Sequence, residues 1–227
     1  MGNLQDFLVE LLLIIPSVLL ALTFHECAHG FIAYKLGDPT AKYYGRLSLN
    51  PLKHIDPIGA ICMIFARFGW AKPVPIDISN FKNPKRDMAL SALAGPVANI
   101  VLGFVGCFLY FISLIAIPSS VYAEQNFVFY IVFVWMQFIY YFAWLNISLA
   151  IFNLIPLPPL DGSKILYAFL PPKACNQFRK YEREISIVFM LVLLLDSRIL
   201  GGVVTGGLSY IVNFIFNGFM SLFSLFL

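Results

Sequence analysis

"LTFHECAHGFIAYKLG", residues Leu22 to Gly37, places two histidines and a glutamate at the end of one of the most apolar stretches of the chain. Upstream, Phe7 to Leu22 is broken only by Glu10, Pro16 and Ser17. The chain as a whole is 60% hydrophobic and 12% charged, against roughly 25% charged in an ordinary soluble domain. So much apolar surface cannot be hidden inside 227 residues, and the sequence therefore predicts a chain solvated mainly by lipid. The opening "MGNLQD" carries no positive charge, so the first apolar segment reads as a retained membrane helix and not as a cleaved leader.

About 20 apolar residues cross a hydrocarbon core. On that rule helices are expected near 7–36, 88–117 and 127–155, and the tail near 185–226 has room for two. The expected fold is an all-α polytopic membrane protein with five to six transmembrane helices. "IDPIGAICMIFARFG", residues 55–69, is short and glycine-containing, and reads as a re-entrant β-hairpin after the first helix, tolerated where protein or a watery cavity covers it. One membrane-embedded domain is expected over 1–227, with a catalytic core near 7–165 and a transmembrane tail near 185–226. Fourteen of the fifteen lysines and arginines fall between the first and second long spans or after the third. By the positive-inside rule those loops face the cytoplasm, and the N-terminus and the 118–126 turn lie outside. The net charge of +3 is explained by this bias and by contact with anionic lipid head groups, and calls for no nucleic-acid partner.

His25-Glu26-Cys27-Ala28-His29 has the form H-E-x-x-H. Residues i and i+4 share a helix face, so both imidazoles can reach one zinc ion. Glu26, beside them, can take a proton from the attacking water and pass it to the leaving amine. A chance match to three fixed positions is common in soluble helices. Ionisable residues at membrane depth are costly without a role, and nothing basic in the same helix pairs Glu26. A catalytic zinc takes three protein ligands. The third candidate is Asp161, in "NLIPLPPLDG", where Pro156, Pro158 and Pro159 should stop a helix and hold an extended backbone. The alternative is that Asp161 merely caps the following helix. Cys27, Cys62, Cys107 and Cys175 form no CxxC pair and read as small packing residues, not as a disulfide framework or thiolate site.

Together these motifs resemble the site-2 protease family of intramembrane zinc metalloproteases. "HECAHGFIAYKLGDPTAKYYGRLSLNPLKHIDPIG", "GWAKPVPI" and "FKNPKRDMALSALAGPVANI" are similar to its compact bacterial and archaeal branch, which lacks PDZ or CBS domains, over about residues 22–165. The resemblance implies one Zn2+ per chain held by His25, His29 and Asp161, with Glu26 as catalytic base. It implies that Asn153 steadies the substrate or its oxyanion, as a preorganised amide donor would; otherwise Asn153 is a buried link between helices. It places Gly95, Pro96 and Asn99 of "AGPVAN" facing the site, Asn99 serving equally well as a plain interhelical hydrogen bond. His54 would lie near the cleft without being a ligand. Gly69, Trp70, Lys72 and Pro73 would form an edge receiving an unwound substrate by strand addition.

The implied activity is hydrolysis of a peptide bond within or near a transmembrane segment of a single-pass or signal-peptide-like membrane protein. The implied location is a prokaryotic inner membrane, with the active site near the cytoplasmic side. A regulatory membrane partner or prior trimming would gate it. Two other readings compete. An inactive scaffold binding transmembrane helices has no need of a complete metal set. A metal-ion transporter needs charged residues along several spans, and the third span has none. The substrate's identity and the oligomeric state are not written in the sequence.

Overall fold

The computed structural model describes residues 4–59, 71–123, 126–199 and 202–226. Helix α1 (Leu4–Lys35) is followed by the short α2 (Thr40–Tyr43) and by single 3-10 turns at Pro51–Lys53 and Ile78–Asn80. Then come α3 (Pro84–Ala116), α4 (Ser119–Ala123), α5 (Phe127–Asn153), α6 (Asp161–Phe169), α7 (Pro172–Lys180), α8 (Glu182–Ile199) and α9 (Val203–Ser224). Among the described residues four stretches are long and apolar enough to cross a membrane: Leu11–Lys35, Pro84–Ala116, Phe127–Asn153 and Val203–Ser224. At 1.5 Å per residue the shortest reaches about 33 Å, enough for a hydrocarbon core of about 30 Å. The protein is an integral membrane protein on this composition.

The five to six spans expected are not confirmed: four qualify among the described residues, and the tail is where the count differs. It does hold two helices, but α8 begins with Glu182, Arg183 and Glu184 and carries Asp196 near its end. Its uninterrupted apolar run is too short to cross. Asp196 instead accepts from Val204 N (3.0 Å), Thr205 N (2.9 Å) and Thr205 Oγ1 (2.7 Å), satisfying the free amides that open α9. The hairpin expected near 55–69 falls largely on residues outside those described. Its flanks are joined by one antiparallel bridge, Ile55 to Ala71.

Helix α3 is the hub, packing against α1, α5, α6 and α9. Its start is set by Pro84 at the first turn and by Asp87, which reaches back to accept from Asn83 N at 2.9 Å. Gly103 and Gly106 let α5 approach closely. A Cβ at Gly103 would sit 2.7 Å from Ile147 Cγ1, and one at Gly106 would sit 2.9 Å from Ala143 Cβ. Cys107, Ala143, Ile147, Val212 and Phe216 form the core at this α3–α5–α9 contact. The opposite face of α3 leaves Val97, Val101, Val105, Phe108 and Ile112 exposed. A water-soluble protein would not present such a band, whereas lipid tails solvate it.

Candidate metal centre

The chemistry gathers at one end of the bundle. His25 and His29, one turn apart on α1, set their rings edge to face with centroids 4.5 Å apart. Asp161, the first residue of α6, sits opposite. Its Oδ2 lies 3.1 Å from His25 Nε2 and 3.0 Å from His29 Nε2. All three side chains are buried, and their donor atoms lie within 4.8 Å of one another. Donors about 2.0–2.1 Å from a tetrahedral zinc are separated by about 3.3 Å, so this triangle has the dimensions of a zinc site's protein face.

The surroundings support that fit. His25 Nδ1 meets Asn99 Oδ1 at 2.5 Å, and His29 Nδ1 meets Ser91 O at 2.7 Å. Each ring therefore spends one nitrogen on an oxygen acceptor and turns Nε2 inward. A Cβ on Gly95 would collide with both imidazoles, so this glycine makes room for the pair. At Gly162 a Cβ would strike the carbonyls of Leu154 and Ile155, which allows α6 to begin directly against the end of α5. Burial pushes the Asp161 carboxyl up. The two imidazole hydrogen bonds and the Lys164 ammonium, 3.0 Å from Oδ1, outweigh that and hold it below the usual carboxylate range.

Leu154 to Leu160 is not the extended arm expected. It is a compact double turn, closed by Leu157 N to Ile155 O (2.8 Å) and Leu160 N to Leu157 O (3.0 Å). Prolines 156, 158 and 159 remove donors here, and Leu157 and Leu160 each use theirs locally. Nor does Asp161 act as a side-chain cap, because the N-cap position is Leu160 and no side chain caps α6.

Glu26 points to the other wall. Its Oε2 accepts from Val74 N at 2.9 Å, within a strap of chain, Ala71–Asp77, that crosses the site. The strap is pinned at both ends. Arg46, buried, donates to Lys53 O, Lys72 O and Pro73 O. Asp38, fully buried, accepts from Asp77 N (2.8 Å), Thr40 N (3.0 Å), Thr40 Oγ1 (2.5 Å) and Asn80 Nδ2 (2.8 Å). Lys72 N donates to His54 O at 2.8 Å. The Lys72–Pro73 part of the expected substrate edge is thus already hydrogen-bonded, and Pro73 has no N–H to offer. Gly69 and Trp70 lie outside the described residues.

A cavity of 610 Å³ opens over these groups, bordered by Glu26, both histidines, Asp161, the strap and apolar side chains including Leu149, Phe152 and Met190. Asn153 lines it too, with Nδ2 donating to Leu149 O at 2.9 Å; that bond uses one of its two amide hydrogens. His54 is not brought to the cavity. It is buried under the loop, with Nε2 2.7 Å from Ser48 O. Pro96 is buried within α3 and is not brought to the cavity. The residues that sequence reasoning missed are Ser91, Asn146, Arg46 and Asp38, all of which act through backbone or through another side chain.

Comparison with known proteins gives a consistent picture. A family model described as peptidase family M50 matches residues 130–195. The Bacillus subtilis protein named "Putative zinc metalloprotease YwhC" is 40% identical over 185 residues, spanning 79% of this chain and 78% of that protein. Two mycobacterial proteins, each named "Putative zinc metalloprotease Rip2", are more distant. That of Mycolicibacterium smegmatis is 29% identical over 71% of this chain and 59% of its own length. That of Mycobacterium tuberculosis is 25% identical over 83% and 69%. No solved structure matches the chain.

Proposed function

The chain belongs to peptidase family M50, the site-2 protease type of zinc metalloprotease, and from that premise we propose that His25, His29 and Asp161 hold its zinc while Glu26 is its general base. The convergence of three buried donors beside Glu26, in a cavity large enough for a stretch of polypeptide, carries this reading. When bound, zinc supplies a Lewis acid that acidifies water and polarises a carbonyl. Glu26 takes the proton of the attacking water on the carboxylate oxygen not engaged by Val74 N, then delivers it to the leaving amine nitrogen. The amide hydrogen of Asn153 not given to Leu149 O is left to steady the oxyanion. The apolar cavity wall excludes bulk water and suits a segment drawn from a transmembrane helix.

The substrate is a single-pass or signal-peptide-like membrane protein, cut within or near its transmembrane segment. The basic loops that follow α1 and α5 support a site at the cytoplasmic side of a prokaryotic cell membrane, with the N-terminus outside. The strap's outer side supports substrate docking better at Ile76 than at Lys72–Pro73, whose backbone groups are engaged.

The test is cleavage of a panel of tagged single-pass membrane proteins co-expressed with the parent and with Glu26→Gln. The parent should release a membrane-domain fragment from at least one. Glu26→Gln should lose cleavage by about a thousandfold while keeping one zinc per chain. Equal cleavage by both would remove Glu26 from the mechanism. A zinc-free, well-folded parent would remove the three-ligand site.

A further inference from the structure

Asn146 lies in the middle of α5, is fully buried, and touches neither the cavity nor a proposed zinc ligand. It is nonetheless joined to His25 through one intermediate. Asn146 Nδ2 donates to Phe142 O at 2.8 Å, one turn back along its own helix. That fixes which way its amide faces and presents Oδ1 towards α3. Asn146 Oδ1 then accepts from Asn99 Nδ2 at 2.8 Å. The same Asn99 nitrogen also donates to Ala21 O at 3.2 Å. With both its amide hydrogens given to oxygens, Asn99 can offer His25 only Oδ1, and it does so at 2.5 Å. An imidazole whose Nδ1 faces an acceptor carries its proton there. Its lone pair then sits on Nε2, the atom 3.1 Å from Asp161 Oδ2.

The geometry points to Asn146 as a positioning residue for the metal site: it fixes the amide orientation of Asn99 and so the tautomer of His25. This rests on the three-ligand reading above and adds to it a residue two steps removed from the metal. His29 needs no counterpart, because its Nδ1 faces the carbonyl of Ser91, which cannot flip. An asparagine can flip, and a flipped Asn99 would aim N–H at N–H and force the His25 proton onto Nε2, where zinc must bind. Helix α5 thus acts on a ligand of α1 through α3, and the close α3–α5 approach at Gly103 and Gly106 keeps the relay within hydrogen-bond reach.

Two substitutions separate polarity from packing. Asn146→Leu keeps the volume and removes the acceptor. Asn146→Asp keeps the acceptor in either protonation state and, when protonated, also keeps a donor for Phe142 O. A merely structural role in a membrane bundle favours leucine over a buried carboxyl. The relay reverses that order for metal binding. The measurements are zinc affinity by chelator competition on detergent-purified full chain, the cobalt(II) absorption spectrum as a report of coordination geometry, and thermal unfolding. Asn146→Leu should bind zinc about tenfold more weakly and shift the cobalt bands, whatever its melting temperature. Asn146→Asp should bind zinc within about threefold of the parent whatever its melting temperature. Leucine matching the parent in zinc affinity and cobalt spectrum overturns the relay and leaves the three-ligand reading intact. Loss in both variants that follows only their melting temperatures also overturns it. A parent that binds no zinc overturns the three-ligand reading first, and the relay with it.

Discussion

The two walls of the cavity are built in different ways. The metal wall is helical. Its histidines stand one turn apart on α1, its carboxylate opens α6, and its supports come from α3 and α5. The hydrogen bonds that orient the two histidines run between buried groups of packed helices. The wall of the base is a strap of irregular chain, Ala71–Asp77, held at one end by the Arg46 guanidinium and at the other by the Asp38 carboxylate. The strap between these anchors carries the Val74 N that donates to Glu26. The contrast teaches that metal affinity and base placement are separable: one depends on helix packing within the membrane, the other on two charged side chains in the loops.

The sharpest way to break that comparison is Gly95→Val. A side chain there drives into both imidazoles, so zinc affinity should fall by at least about a hundredfold, and cleavage with it, while the strap is untouched. Zinc retained at parental affinity in this variant would show that the helical wall yields more than close packing allows. Arg46→Met attacks the other side. It frees three carbonyls from a charge-assisted donor, and misplacement of the base should reduce cleavage by tenfold to a hundredfold. Zinc content should not change. If zinc leaves together with activity, the two walls are not separable.

Asp38→Asn is expected to act mainly on stability, lowering it by roughly 2 kcal/mol through weakened bonds to Asp77 N, Thr40 and Asn80. It also has a pH signature. Burial raises the Asp38 carboxyl, but the donors from Thr40, Asn80 and Asp77 outweigh this and hold it below the usual carboxylate value. A carboxyl lowered in the folded state contributes fully above its unfolded value of about 3.9 and loses that contribution as pH falls through the lower folded value. Acid titrations of unfolding should therefore show a steeper fall below about pH 4 in the parent than in Asp38→Asn, and parallel curves would contradict this assignment. The smallest effect is expected of Lys164→Met. Its ammonium is partly exposed beside Asp161, so its removal should shift zinc affinity by less than about threefold, as chelator competition would show.

The same contrast explains what the sequence made legible. The i, i+4 spacing of His25 and His29 is a property of one helix, and it is visible in five letters. Asp161 was visible as a carboxylate between a proline run and a glycine, although the backbone that delivers it is a folded turn and not an extended arm. The resemblance put "AGPVAN" facing the site, and Gly95 is where that helix meets both imidazoles. Asn146 was invisible, because its use depends on how far α5 is rotated against α3. No local pattern records that angle. Arg46 and Asp38 looked like two more charges in a basic loop, since their partners are backbone groups that any sequence supplies. The tail left the span number open because its apolar total conceals the acidic start of α8 and the capping role of Asp196.

His25 and Asp161 stand 136 positions apart in the chain. At translation rates of about 5–20 residues per second, His25 precedes Asp161 from the ribosome by roughly 7–27 s. During that interval the chain carries Glu26 and both imidazoles but lacks one donor. On the three-ligand reading, a growing copy of this protease lacks its complete metal set until the last donor has been made, and so α1, α3 and α5 are all synthesised before it can cut anything.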